Sequence, residues 1–302
     1  MRRPVVLLVV ALAATALTAC GPRIGNCPVL PADNPWNAEI LSRPVHPESA
    51  RWIGRLGATR NLHPDFGADW DGGPFGIPYV VVGDGQPRVP ITFTAYGDES
   101  DPGPYPVPLD APVEGGAGAD GDRHVIVVDT AGCRLYELSR AFPDGGGWRA
   151  DSGAVFDLRS NALRPAGYTS ADAAGLPIFP GLVRYDEVAA GRIPHAIRVT
   201  AACTQRGYVS PARHQAGSDD PSCPPMGARF RLRADFDVTR FTGQARVVLD
   251  ALRRHGMVVA DNGSSWFLSG APDARWDDDD LGQLKRVPAS AFEAIDTGPI
   301  TR

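Results

Sequence analysis

Short apolar and alternating stretches, separated by turns, recur along the chain from about residue 77 onward. Gly83-Asp84-Gly85 predicts a hairpin between the first two stretches, and the turn at 129–132 predicts a hairpin between the next two. Apolar and polar residues also alternate through 195–200 and 227–236, as in half-buried strands. The predicted strands are 77–82, 89–94, 124–128, 134–138, 148–158, 195–200, 227–236, 257–260 and 266–268.

Helical periodicity is confined to short segments. The clearest is 243–254, where Val247, Val248, Ala251 and Leu252 form an apolar stripe. Glycine follows each predicted helix and would end it. The predicted helices are 48–56, 185–190 and 243–254.

Gly and Pro are abundant, with 34 and 29 residues in a chain of 302. So many helix-breaking residues argue against a helical bundle. They concentrate in long loops, such as 97–121 and 159–183. The sequence therefore predicts a mainly β fold: a single-domain β-sandwich or jelly-roll-like domain with a few short helices and long Pro/Gly-rich loops.

The N-terminus has the features of an export signal. Arg2 and Arg3 precede an apolar run at 5–17, which is too short to span a bilayer. Residues 17–21 (Leu-Thr-Ala-Cys-Gly) resemble a bacterial lipobox, which implies lipidation of Cys20; an ordinary secretory signal is the alternative. The predicted organisation is a signal peptide (1–19), a lipidated tether (20–26), one β-rich domain (27–296) and a C-terminal tail (297–302).

Charge excludes one class of partner. The formal net charge is −5, and removal of the two leader arginines would make it −7. An acidic protein without a basic patch is a poor nucleic-acid binder. We therefore expect no nucleic acid, a membrane contact through the N-terminal lipid, and an extracytoplasmic location; the oligomeric state is left open.

Four cysteines remain after Cys20, which predicts two disulfides in an oxidising compartment. Three pairings are conceivable. We favour Cys203–Cys223, which would close a polar loop, and Cys27–Cys133, which would tie the N-terminal segment to a strand. Metal ligation is the alternative, but no CxxC or Cys-His spacing supports it, so no metal is expected.

Standard catalytic signatures are absent, including the Gly-x-Ser-x-Gly, His-Glu-x-x-His, Walker A and dinucleotide motifs, and no cofactor is expected. Acidic residues in Pro/Gly-rich loops are the remaining candidates, because paired carboxylates can act as acid and base. The alternative is that they are turn formers or salt-bridge partners. The candidate catalytic residues are Asp98, Glu99, Asp101, Asp157, Asp261 and His195.

Aromatic, basic and imidazole side chains near these acids are candidate ligand contacts. Aromatic rings can stack on sugar faces, and a loop closed by a disulfide can form the rim of a site. Asn262-Gly263 is first of all a turn signal, which leaves the role of its neighbours open. The candidate ligand-binding residues are Tyr105, Arg164, Tyr168, Arg198, His214 and Trp266.

Three segments, 27–37, 160–167 and 260–264, together resemble a family of secreted bacterial and fungal proteins. The resemblance covers nearly the whole mature chain. It implies secretion and a single domain. No activity is established for that family, so it implies no catalytic residue.

Two main hypotheses follow. The first is an anchored protein that acts on or binds carbohydrate; if it is an enzyme, it is a glycoside hydrolase that uses two carboxylates. The second is a non-enzymatic envelope lipoprotein that binds a ligand or scaffolds the cell surface. A peptidase or amidase is a third reading, but the sequence shows no nucleophile–base or metal constellation for it.

Overall fold

The computed structural model describes residues 21–302, which form seventeen β-strands and four α-helices. The predicted signal peptide (1–19) and Cys20 lie outside the described residues. The strands are β1 (Arg23–Ile24), β2 (Cys27–Pro28), β3 (His63–Asp65), β4 (Gly67–Trp70), β5 (Gly73–Phe75), β6 (Tyr79–Val82), β7 (Ile91–Phe93), β8 (Val125–Asp129), β9 (Arg134–Ser139), β10 (Phe142–Asp144), β11 (Gly147–Ala150), β12 (Ser152–Asp157), β13 (Ile197–Ala201), β14 (Arg229–Leu232), β15 (Met257–Asn262), β16 (Phe267–Ser269) and β17 (Phe292–Ile295). The helices are α1 (Ser49–Leu56), α2 (Tyr185–Ala189), α3 (Gly243–Arg254) and α4 (Asp278–Gly282).

The fold is mainly β, as predicted, and two sheets dominate it. One has four strands in the order β12-β9-β8-β6. Every residue of strand β8 is buried, so its backbone N–H and C=O groups need hydrogen-bond partners from a strand on each edge. Strand β9 supplies one in the predicted antiparallel hairpin, and β6 supplies the other in a parallel pair.

The second sheet has six strands in the order β17-β14-β15-β13-β16-β3. Strands β13 and β15 are parallel, and the chain joins them through β14 and α3. Helix α3 was predicted from its apolar stripe, and it buries Val248 and Leu252 in the main core. A smaller core lies around Tyr105 and Trp148. None of the helices within residues 21–302 has the length and apolar character needed to cross a bilayer.

The hairpin predicted at 83–85 is wrong. Strand β6 pairs with β8, whereas β7 pairs in parallel with β11 of a separate three-stranded sheet. The Gly-Asp-Gly turn reverses the direction of the chain, but β6 then forms its hydrogen bonds with the fully buried strand β8 and not with β7. The predicted strand 148–158 is likewise two strands in different sheets, β11 and β12, with Asp151 between them.

Both favoured disulfides are present, Cys27–Cys133 and Cys203–Cys223. The first joins the N-terminal segment to the turn between β8 and β9. Disulfides form and persist in oxidising compartments. They therefore indicate an extracytoplasmic environment for this protein.

Candidate functional site

A row of polar side chains crosses one face of the six-stranded sheet. Val199 of β13 pairs with Leu268 of β16 in an antiparallel register, which puts Arg198 opposite Ser269. Ser269 in turn pairs with Asp65 of β3. Because directly opposed residues point to the same face, Arg198, Ser269 and Asp65 lie side by side.

A β-bulge adds Asp261 to this face. Val199 pairs with Val259, but the next pair is Thr200 with Asp261, so Ala260 is an extra residue. Without the bulge, alternation would direct Asp261 to the opposite face from Arg198. With it, an Nη2 proton of Arg198 is donated to Oδ2 of Asp261 at 3.0 Å.

Arg198 is the centre of a buried ionic cluster. It donates to both carboxylate oxygens of Asp172, from Nε at 3.0 Å and from Nη2 at 2.8 Å, and from Nη1 to the Ser269 hydroxyl at 2.8 Å. The Asp172 side chain is fully buried and that of Arg198 is 4% exposed. Burial alone would lower the pKa of Arg198, but the charge and hydrogen bonds of Asp172 outweigh it and raise that pKa.

Predicted site residues hold the loop that presents Asp172. Arg164 donates to the Asp101 carboxylate and, through Nε, to the Thr169 carbonyl at 2.7 Å. The Thr169 amide donates to Glu99 at 2.7 Å. Arg164, Asp101 and Glu99 therefore fix the position of Asp172 from outside the cluster, and they do not line it.

A second ion pair, between Glu114 and His124, touches the same loop. Nδ1 of His124 lies 2.6 Å from Glu114 Oε2, and its Nε2 lies 3.0 Å from the carbonyl of Ala171. Both partners are acceptors, so only the doubly protonated imidazolium can donate to both. Burial lowers the pKa of His124, but the charge and hydrogen bond of Glu114 outweigh this and raise it to about 9.

The pKa values of the carboxyl groups in this region are displaced in opposite directions. Burial would raise the pKa of Glu114, but His124 outweighs it and holds that pKa below its usual range. Partial desolvation raises the pKa of Asp65 although its surface is exposed; the charge of His63 opposes the effect and that of Glu114 adds to it. Burial and the charge of Asp172 raise the pKa of Asp261 to about 7. The pKa of Glu114 is therefore lowered, while those of Asp65 and Asp261 are raised.

The Glu114–His124 pair predicts a pH-dependent stability. The pKa of His124 is raised from 6.5 in the unfolded chain to about 9 in the folded protein. The ion pair therefore stabilises the folded protein fully below pH 6.5, and this stabilisation is lost as the pH rises through 9. The shift corresponds to about 3 kcal/mol in the free energy of unfolding. Urea unfolding of the wild type and of His124→Gln should therefore differ by about that amount near pH 6 and by much less near pH 10. A difference that stays constant over this range would contradict an imidazolium at His124.

Asp65 and Glu114 open onto a surface groove of about 990 Å³. Trp70 lines the groove with 74% of its surface exposed, beside Phe75 at a ring-centroid distance of 6.3 Å. Asp65, Trp70 and Glu114 were not selected from the sequence. Glu114 lies in the long Pro/Gly-rich loop 97–121, but nothing in the sequence marks it as the partner of His124.

Of the predicted residues, Arg198 and Asp261 belong to the cluster, and the others lie elsewhere. Asp98 and Tyr168 are exposed. His214 bonds the Ala173 carbonyl through Nδ1 at 2.8 Å, next to the Asp172 loop. Asp157 accepts from the Arg159 amide in a surface turn.

Three predicted residues are buried in structural positions. His195 is fully buried, with Nε2 at 3.0 Å from Glu187. Tyr105 packs in the smaller core. Trp266 packs in the main core and donates from Nε1 to the Leu56 carbonyl at 3.3 Å. None of these three side chains lines the groove.

Within residues 21–302, no three His, Cys, Asp or Glu side chains are grouped as a metal site would require. The groove is lined by carboxyl groups, among them Asp65 and Glu114, and by the aromatic rings of Trp70 and Phe75. The resemblance of three segments to secreted proteins stays a prediction. The chain matches no protein-family model, no curated protein and no solved structure.

Proposed function

We propose that this protein is an extracytoplasmic glycoside hydrolase that works in the groove lined by Asp65 and Glu114. One observation carries the proposal: the two carboxyl groups share a groove, and their pKa values are displaced in opposite directions. Such a pair supplies an ionised base or nucleophile and a protonated acid at the same pH. This is the pair of groups that glycoside hydrolysis uses.

The roles follow from the contacts. Glu114, ionised by His124, is the base or nucleophile, and Asp65 is the acid that protonates the leaving oxygen. The charge of Arg198 acts on both carboxyl groups, and it lowers the pKa of each. Asp172 and Asp261 hold Arg198 in place, so they are positioning residues in this scheme.

The groove suits a glycan. Its volume of about 990 Å³ accommodates more than one sugar ring, since pockets of ~300–1,000 Å³ hold drug-sized ligands. Trp70 offers an exposed ring on which a pyranose face can stack. The sequence pattern around Cys20 supports anchoring of the enzyme by lipid at the cell surface, where such substrates occur.

We expect Glu114→Gln to lower the turnover of glycans by at least about 100-fold, because the substituted amide cannot accept a proton or attack the sugar. The purified protein is incubated with a panel of bacterial cell-wall and plant glycans, and new reducing ends are measured. Glu293→Gln is the matched control, since Glu293 of β17 is ion-paired to Arg231 of β14 and does not line the groove. Full activity in Glu114→Gln would refute the assigned role.

A non-enzymatic glycan-binding lipoprotein is the second candidate, and the exposed Trp70 beside Phe75 favours it, because stacking needs no catalysis. The two candidates differ in the same experiment. Retention on immobilised glycans without new reducing ends supports the binding protein. Neither cleavage nor retention across the panel refutes both.

A further inference from the structure

We propose a second binding site, for a small organic carboxylate, in a pocket that shares no lining residue with the groove. The pocket has a volume of about 270 Å³ and lies between the segment 33–43, strands β14 and β15, and Ser210-Pro211. Arg229 and Arg43 both line it, the first buried and the second exposed. None of the groove residues lines this pocket.

Arg229 is a buried charge with no acidic partner. Its side chain donates only to main-chain carbonyls: from Nε to His255 at 2.7 Å, from Nη1 to Pro35 at 2.6 Å, and from Nη2 to Ala38 at 3.0 Å and to His255. Within residues 21–302, no ion pair includes it, whereas the equally buried Arg198 contacts two carboxylates. Burial, and then the charge of Arg43, lower the pKa of Arg229. A guanidinium stays protonated, so its charge is uncompensated in the absence of an anion.

Arg43 adds a second positive charge to the same pocket. It is exposed, and no carboxylate of residues 21–302 forms an ion pair with it. Its main chain is held in place because Arg231 donates to the Arg43 carbonyl at 2.8 Å. The acidic residue that lines the pocket, Asp33, is exposed and accepts from Asn161 instead. An anion between the two guanidinium groups would neutralise both.

The rest of the lining favours an organic anion. Trp36, Ile40, Val258 and Ile295 contribute apolar walls. The exposed guanidinium of Arg43 can bind a carboxylate through two parallel hydrogen bonds, and Arg229 has one remaining Nη1 proton to donate. The volume is just below the usual range of ~300–1,000 Å³, which limits the ligand to a small molecule.

The test is calorimetric titration of the full mature protein with sodium benzoate, acetate and sulfate at constant ionic strength. We expect benzoate to bind most tightly, and Arg43→Gln to weaken it by about tenfold because one charge-assisted contact is lost. Arg240→Gln removes the same charge from an exposed site elsewhere and should leave binding unchanged. The Nε–Hε resonance of Arg229 should shift on addition of benzoate, which reports on Arg229 without mutating it.

Several results would overturn the inference. Absence of benzoate binding at millimolar concentration would do so, as would equal weakening in Arg43→Gln and Arg240→Gln. Sulfate binding as tightly as benzoate would reassign the pocket to inorganic anions. A benzoate-induced shift that spares the Arg229 resonance would place the ligand elsewhere.

Discussion

Replacing Arg198 with methionine should lower the free energy of unfolding by about 3–5 kcal/mol, because Asp172 would stay buried without its counter-charge. The methionine fills much of the same volume, so the loss reports the charge rather than a cavity. Urea unfolding at pH 7, followed by circular dichroism, measures it. Arg134→Met is the matched control: Arg134 lies 3.6 Å from Asp157 and is 45% exposed, so we expect a loss of at most about 1 kcal/mol.

A double variant separates charge from packing. Replacing Asp172 by leucine in the Arg198→Met background removes the buried carboxylate as well. Buried ion pairs are often exchanged for apolar residues at little cost, so the double variant should be more stable than Arg198→Met alone. If Arg198→Met unfolds at the same urea concentration as the wild type, the ion pair between Arg198 and Asp172 does not contribute to the stability of the folded protein.

Local patterns were enough to predict much of the fold. The β8–β9 hairpin needed only two apolar runs and a turn of 129–132 between them. Helix α3 was predicted from its apolar stripe alone. The two disulfides were predicted from the positions of the cysteines and the lengths of the loops that they close. The pairing of β6 with β8 was missed because a turn sequence indicates where the chain reverses. It does not indicate which strand will form hydrogen bonds with β6.

The candidate site was harder to predict for a related reason. Arg198 and Asp261 were both selected, but they meet only because Ala260 forms a bulge, and alternation alone puts them on opposite faces. Glu114 and Asp65 lie outside any periodic pattern. Their pKa shifts arise from burial and from neighbours that are distant in the sequence, and residue spacing does not encode those contacts.

The N-terminal segment after Cys27 contributes to both the core and the anion pocket. Trp36 packs over Gly181, where an added Cβ would lie 2.7 Å from the indole ring. The same segment accepts the hydrogen bonds of Arg229 through Pro35. The Cys27–Cys133 disulfide ties this segment to the turn between β8 and β9, so the bond fixes a piece of chain on which distant elements depend.

Replacing Cys27 and Cys133 with alanine should therefore lower the free energy of unfolding by about 4–5 kcal/mol, since the bond closes a loop of 106 residues. Removing Cys203–Cys223 should cost about 1.5 kcal/mol less, because its loop spans only 20 residues and restricts the unfolded chain less. Urea unfolding of both double variants, beside the oxidised and reduced wild type, measures the difference. Equal losses in the two variants would show that the longer loop is already restricted in the unfolded chain, and a larger loss for Cys203–Cys223 would contradict the loop-length argument.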